Sequence, residues 1–156
     1  MNCTLLFCLA ITDKNNNIMA KVQLLAVLSI DGCPTELQPQ KRLFRSTEDY
    51  GIEKIRGNAL YKLTPDYSIS ILQEWQEKYR NTCYLLEANA ENTEYANGLL
   101  RMNVIDEIIL YIVPCIIGTG RHLFKSAFLK TEWTLAESKR FDDGVVRLIY
   151  RKKIRE

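Results

Sequence analysis

The side chains in this 156-residue chain that could do chemistry are few and scattered. Asp31 stands in Ser29-Ile30-Asp31-Gly32. A carboxyl there could donate a proton to a ring nitrogen, or it could serve an ordinary Asp-Gly turn. The lone histidine, His122, follows Arg121 beside a glycine-containing bend. Spacing offers it no partners for a zinc site or a Ser-His triad, so it reads as solvated. Asp106 and Glu107 open an apolar run and read as the start of a strand. The cysteines are Cys3, Cys8, Cys33, Cys83 and Cys115. Their number is odd and none lies in a C-x-x-C spacing, which argues against a disulfide framework and against a metal site. All but Cys33 sit in apolar stretches and read as small hydrophobes. A reducing, cytoplasmic compartment is the expectation.

Composition narrows the class further. Hydrophobic residues make up 47% and charged residues 26%, as in ordinary globular proteins. The chain is expected to form one domain, residues 1–156, burying roughly 70% of its unfolded surface. A net charge of +2 points to no particular partner. The basic cluster Arg151, Lys152, Lys153 and Arg155 reads as a solvated chain end, so no nucleic-acid partner is expected. Residues 5–11 are apolar, but no basic residue precedes them and the run is too short for a span, so it reads as a buried strand and no membrane partner is expected.

The elements that must carry these residues are read from punctuation and periodicity. Residues 3–12 and 21–29 are strand-like runs, ended by the turn clusters at 13–17 and 31–34. Residues 35–45 read as loop. Ser46 or Thr47 could cap a short helix through Lys54, and residues 58–64 could form a short strand. Pro65-Asp66 marks a turn. Ser68 or Ser70 could cap the next helix, with Ile71, Leu72, Trp75 and Tyr79 as its apolar stripe. Residues 83–88 read as a central strand. Thr93 could cap a helix carrying Tyr95, Leu99 and Met102. Residues 105–113 form a strand stopped by Pro114. Two arms, 131–141 and 145–151, form a hairpin, with Asp143-Gly144 as a two-residue type I′ turn. Alternation in the middle and a hairpin at the end predict a mixed α/β sheet flanked by helices.

Residues 104–114, followed by Ile116-Ile117-Gly118-Thr119-Gly120 and Leu123-Phe124, resemble the dihydrofolate reductase-like family, especially the reductase domain of bacterial riboflavin biosynthesis (the RibD C-terminal domain). Trp133 and the hairpin to Tyr150 extend the resemblance. Ser29-Ile30-Asp31-Gly32 looks like the family's Ser-Leu-Asp-Gly, and Glu48-Asp49-Tyr50-Gly51 falls where many members carry similar residues. Residues 3–12 compete with residues 21–29 for the place of the family's first strand. The resemblance implies a three-layer fold, NADPH as cofactor, and hydride transfer to a pterin- or pyrimidine-like ring.

The implied cofactor positions are Gly32, Gly57, Asn58, Asn92, Thr93 and Glu94, and two motifs among them are altered. Where the family carries Gly-Arg-x-Thr-Tyr on a strand-to-helix turn, this chain has Gly57-Asn58-Ala59-Leu60-Tyr61. The charged fork for a 2′-phosphate and the threonine are both gone. The family's Gly-rich pyrophosphate turn falls at Glu91-Asn92-Thr93, before Glu94, and no glycine occurs from Asn58 to Asn97. Glu91 adds a negative charge where a phosphate would sit, and Glu87 and Glu91 flank the expected cleft. The stretch between Tyr61 and Cys83 is also too short for the strand and loop that the family fits there. Two classes follow: an NAD(P)H-dependent reductase with a small-molecule substrate, and a non-catalytic binding protein of the same fold. Asp31 is the one catalytic candidate. A homodimer is expected from the family habit and from the exposed edge hairpin.

Overall fold

The structure is a computed structural model, described here for residues 21–37, 50–79, 81–125 and 130–153. The expected strand at residues 3–12, its turn at 13–17 and the caps Ser46 and Thr47 lie outside the described residues, as does most of the 35–45 loop.

Six strands form one sheet: β1 (Lys21–Ser29), β2 (Tyr61–Lys62), β3 (Cys83–Ala88), β4 (Glu107–Val113), β5 (Trp133–Arg140) and β6 (Val146–Lys152), in the order β2-β3-β1-β4-β6-β5. The first four are parallel; β6 runs antiparallel to β4, and β5 antiparallel to β6. Three helices connect the parallel strands: α1 (Ile52–Asn58), α2 (Ile69–Lys78) and α3 (Thr93–Arg101). The expected mixed sheet with its C-terminal hairpin is therefore present.

The central strand shows why the layers form. β1 is apolar almost throughout, and a strand buried on both faces needs that composition. Val22, Leu24, Ala26 and Leu28 pack on the side of α2 and α3, with Leu72, Ala96 and Leu99. Leu25 packs on the other side with Ile52 of α1 and with Tyr50, Tyr111 and Phe141. The two clusters are the two interfaces of a three-layer fold.

Several local expectations shift. Helix α1 starts later than expected, because Gly51 sits at its N-cap with φ 81° and no side chain caps it. The strand expected at 58–64 shrinks to Tyr61–Lys62. Ser68 does cap α2, accepting from the Ile71 amide at 3.2 Å. Of the apolar stripe, Leu72 is buried and Trp75 packs on the core, but Ile71 is 40% and Tyr79 47% exposed. Ile71 lies about 100° round the helix from Leu72, and Tyr79 is past the last turn. Asn92, not Thr93, is the N-cap of α3, and Met102 at its other end is exposed. β4 begins at Glu107; Ile105 is buried before the strand starts. The hairpin turns through three residues, Asp142, Asp143 and Gly144: Phe141 N–H donates to Val145 O, and Gly144 N–H to Phe141 O. Only Gly144 has positive φ, so the turn is not type I′.

At the N-terminal ends of the parallel strands lies a buried polar network. Lys21 Nζ is 2.8 Å from Glu107 Oε2, with both side chains about 5% exposed or less. Gln23 donates to Glu107 Oε1 at 2.8 Å and accepts from Cys83 Sγ, while Arg151 Nε reaches Glu107 Oε2 at 3.1 Å. Beside it, Asp106 accepts from the Val22 amide and from Gln76, and lies 3.3 Å from Lys152 Nζ. Burial pushes the Glu107 carboxyl upward, but Lys21, Gln23 and Arg151 overcome it and hold the group below its usual value. For Asp106 burial wins, and its carboxyl is raised. These two acids tie β1, β4 and β6 together, in keeping with a structural reading of the pair.

Candidate functional site

The opposite edge of the sheet is where β1, β3 and β4 end, at Ser29, Ala88 and Val113. In a parallel sheet the loops at this edge form the usual ligand crevice, so this is where the expected cofactor residues must meet. Three loops gather there: Ser29 to Cys33, the β3–α3 turn, and the bend after Pro114.

The first loop and the third are joined by Asp31. Its carboxylate accepts from the Gly118 amide at 2.9 Å and the Ile117 amide at 3.2 Å, and from the Ser29 hydroxyl. Ser29 in turn accepts from the Cys33 amide. The Ser29 hydroxyl first, then the Gly118 amide, hold the exposed Asp31 carboxyl down at about 2. Asp31 is thus ionised at neutral pH and committed to holding a bend, the reverse of what a proton donor needs. Gly32 has φ 81° and its carbonyl accepts from the Leu123 amide, so it too serves the bend. His122 is exposed, as expected.

The second loop decides the anion question. Asn92 is at the strand-to-helix turn where the resemblance places it, with Thr93 and Glu94 opening α3. Three of the turn amides, however, are already bonded. Asn89 Oδ1 accepts from the amides of Glu91 at 2.8 Å and Asn92 at 3.0 Å. Asn92 Oδ1 accepts from the Asn89 amide at 2.8 Å, and its Nδ2 donates to Glu87 O at 2.9 Å. The two asparagines fold the loop back on itself. Glu91 is exposed, and Glu94 pairs with Lys125. The Thr93 side chain is buried, with no partner for its hydroxyl among the described residues.

Gly57 and Asn58 do not occupy a strand-to-helix turn. They are the last two residues of α1, and the chain then runs into the edge strand β2. Leu60, in the threonine's place, is 69% exposed. A cation beside Gly57 was missed by motif matching: Arg56, whose Nε donates to Glu87 Oε1 at 2.8 Å and whose Nη1 donates to Glu53 at 2.6 Å. Partial burial lowers the Arg56 pKa, but Glu87 and then Glu53 outweigh it and keep it above the ordinary value. The Glu53–Arg56 spacing of three on a helix is the sequence signal that could have exposed it. Asn89 had a signal as well, an Asn-x-x-Asn run just ahead of a helix.

Against known proteins, residues 93–147 match the model of the RibD C-terminal domain. No curated protein matches the sequence. Among solved structures, a riboflavin biosynthesis protein from Shewanella sp. PV-4 superposes with TM-score 0.63 at 13% identity, over 86% of this chain and 99% of that one. RibD from Acinetobacter baumannii gives 0.62 at 13% identity, over 87% of this chain and 59% of its own. The fold is dihydrofolate reductase-like. The dihydrofolate reductase of Enterococcus faecalis, solved with NADP(H), gives 0.50 at 10% identity over 86% of this chain and 97% of that one. The matched segment, 93–147, runs from the start of α3 through β4 and into the hairpin, which is the part of the chain that carried the resemblance.

Within this dihydrofolate reductase-like frame the fit of NADPH can be tested on the residues present. A pyrophosphate needs unsatisfied amides and close backbone approach at a helix start. Here the amides of Asn89, Glu91 and Asn92 are bonded to the two asparagine side chains, side chains stand where glycines would, and Arg56 is held by two carboxylates. The residues do not fit the group. Among the described residues no His/Cys/Asp/Glu cluster could hold a metal ion, and no helix is long and apolar enough to cross a membrane.

Proposed function

We propose that the protein is an oxidoreductase of the dihydrofolate reductase and riboflavin reductase kind, NAD(P)H-dependent, acting on a pterin- or pyrimidine-like ring and gripping its dinucleotide weakly. We read the chain as one such domain, working in a reducing, cytoplasmic setting. The match over residues 93–147 supports this, together with the open edge where β1, β3 and β4 end side by side. Cys33, a free and buried thiol, supports the reducing compartment.

One observation favours a second reading. The Asn89–Asn92 turn satisfies its own amides, as a protein that keeps the fold for binding rather than hydride transfer would be free to do. The two readings separate in a turnover assay. Loss of reduced-nicotinamide absorbance, dependent on an added pterin or aminopyrimidine and on protein concentration, supports the reductase. No turnover at millimolar cofactor with either ring class supports the binding protein.

A further inference from the structure

The sheet leaves a strand's place open on one side, and the chain carries a strand-like run of the right length. β1 is paired on both sides, by β3 and β4; β3 is also paired by β2, and β6 by β4 and β5. Among the described residues the unpaired strand sides are therefore the outer sides of β2 and β5, the two ends of the strand order. β2 is two residues long, too short to seat a strand. β5 is eight residues long, has no proline, and is exposed at every residue after Trp133. An edge of that kind invites pairing, and proteins cover or break such edges.

Residues 3–12, expected as a buried strand, find no place left inside the sheet. Direction and reach both suit the outer side of β5. Gln23 of β1, Glu107 of β4, Arg151 of β6 and Thr134 of β5 stand in one row across the sheet. The chain thus enters β1 at Lys21 from the end of the sheet where β5 begins. β5 runs parallel to β1, so a strand that arrives at that end before turning into β1 must lie antiparallel to β5. The place beside β5 is four strand spacings from β1, about 19 Å. Residues 13–20 can span roughly 26 Å, and Asp13-Lys14-Asn15-Asn16-Asn17 supplies the turn.

Alternation agrees as well. In an extended 3–12, Leu5, Phe7, Leu9 and Ile11 share one face, while the other carries Thr4, Cys8, Ala10 and Thr12 around Leu6. The hairpin is divided in the same way. On one face Leu135, 49% exposed, stands opposite Tyr150, with half-buried Leu148 beside it. On the other face are Thr134, Lys139, and Glu137 paired with Arg147.

We propose that residues 3–12 form a strand that pairs antiparallel along the outer side of β5, with Leu5, Phe7, Leu9 and Ile11 continuing the Leu135–Tyr150 face. The chain so covers its own edge, and that edge is closed to strands from other molecules.

Nuclear Overhauser contacts in the full natural chain test this, with half the molecules isotope-labelled so that contacts within and between chains are told apart. The expected result is cross-strand contacts from residues 3–12 to β5 within one chain, with slowed amide exchange at 3–12. In an extended pair, adjacent amides point to opposite sides, so Leu6→Pro with Phe7→Pro removes one that faces β5. The double variant should speed amide exchange along β5 at least roughly tenfold while β1 and β4 keep their protection. If the two prolines unfold the sheet, the contacts in the natural chain decide alone. Contacts to β2, contacts only between chains, or residues 3–12 exchanging at unfolded rates each overturn the proposal. So does a folded double variant whose β5 exchange is unchanged.

Discussion

At the N-terminal ends of β1, β3 and β4 the charges are matched across strands in a largely buried network; at the C-terminal ends they lie nearer the surface and hold the loops in shape. Lys21, Glu107, Gln23 and Arg151 come from three different strands, and Arg151 reaches the buried Glu107 from the surface. Asp31 spends its carboxylate on the bend at Ile117 and Gly118, and Asn89 spends its amide on the loop that contains it. The first arrangement holds the sheet in register. The second holds loop shape and occupies the amides of Asn89, Glu91 and Asn92.

The largest effect should come from breaking the scaffold end. Glu107→Gln removes a charge opposite Lys21 and leaves that lysine buried, which costs about 3–5 kcal/mol of folding stability in urea titration. Replacing Lys21 and Glu107 together by Met and Leu should cost less than either single change. If the double change cost the sum of both, the pair would not be coupled.

The same acid sets a pH dependence. Glu107 is held below its unfolded value, so its contribution is present above that value and is lost as pH falls through its folded pKa. Asp106 is raised and works the other way, costing stability at neutral pH and relieving that cost as it protonates. The urea midpoint of the natural protein should fall in acid more steeply than that of Glu107→Gln. Equal slopes would mean that Glu107 is not the group responsible.

A smaller effect is expected from opening the crevice end. Asn89→Gly with Glu91→Gly frees the turn amides and removes a charge, and should strengthen NADPH binding by about tenfold, or roughly 1.4 kcal/mol. The pair Glu91 and Thr93, which sequence alone would suggest for glycine, is the poorer choice, because Thr93 is buried inside α3. Unchanged affinity in the glycine variant would mean that the turn is not what limits binding.

The smallest change is a titration. The Asp31 carboxyl, followed by NMR, should titrate at about 2. Its stabilising contribution is then present at neutral pH and lost only as pH approaches that value. A midpoint near neutrality would return Asp31 to the list of proton donors.

The sequence carried the frame well where burial dictates pattern. Lys21–Ser29 and Cys83–Ala88 were legible to the residue, because strands covered on both faces leave an unbroken apolar run. The hairpin was legible from Asp143-Gly144, although its turn takes one residue more. Legibility failed where side chains bond to loops. Nothing in the pattern says that Asn89 turns its oxygen back onto two amides, or that Arg56 lies against Glu87 rather than facing open solvent. Gly57-Asn58 was expected on a strand-to-helix turn and closes α1 instead, in a region where the chain after Tyr61 is shortened. Motif matching assumes an unchanged neighbourhood, and here the neighbourhood had moved.

The claim that joins these findings is that the fold is kept while the dinucleotide grip is lost. Calorimetric titration of the natural protein with NADPH and NADH tests it directly. The expected dissociation constant for NADPH is weaker than ~100 μM, roughly −5.5 kcal/mol, with little preference over NADH because Arg56 is held by Glu87 and Glu53 and Asn58 stands in place of the family's arginine. A micromolar or tighter constant for NADPH would contradict it.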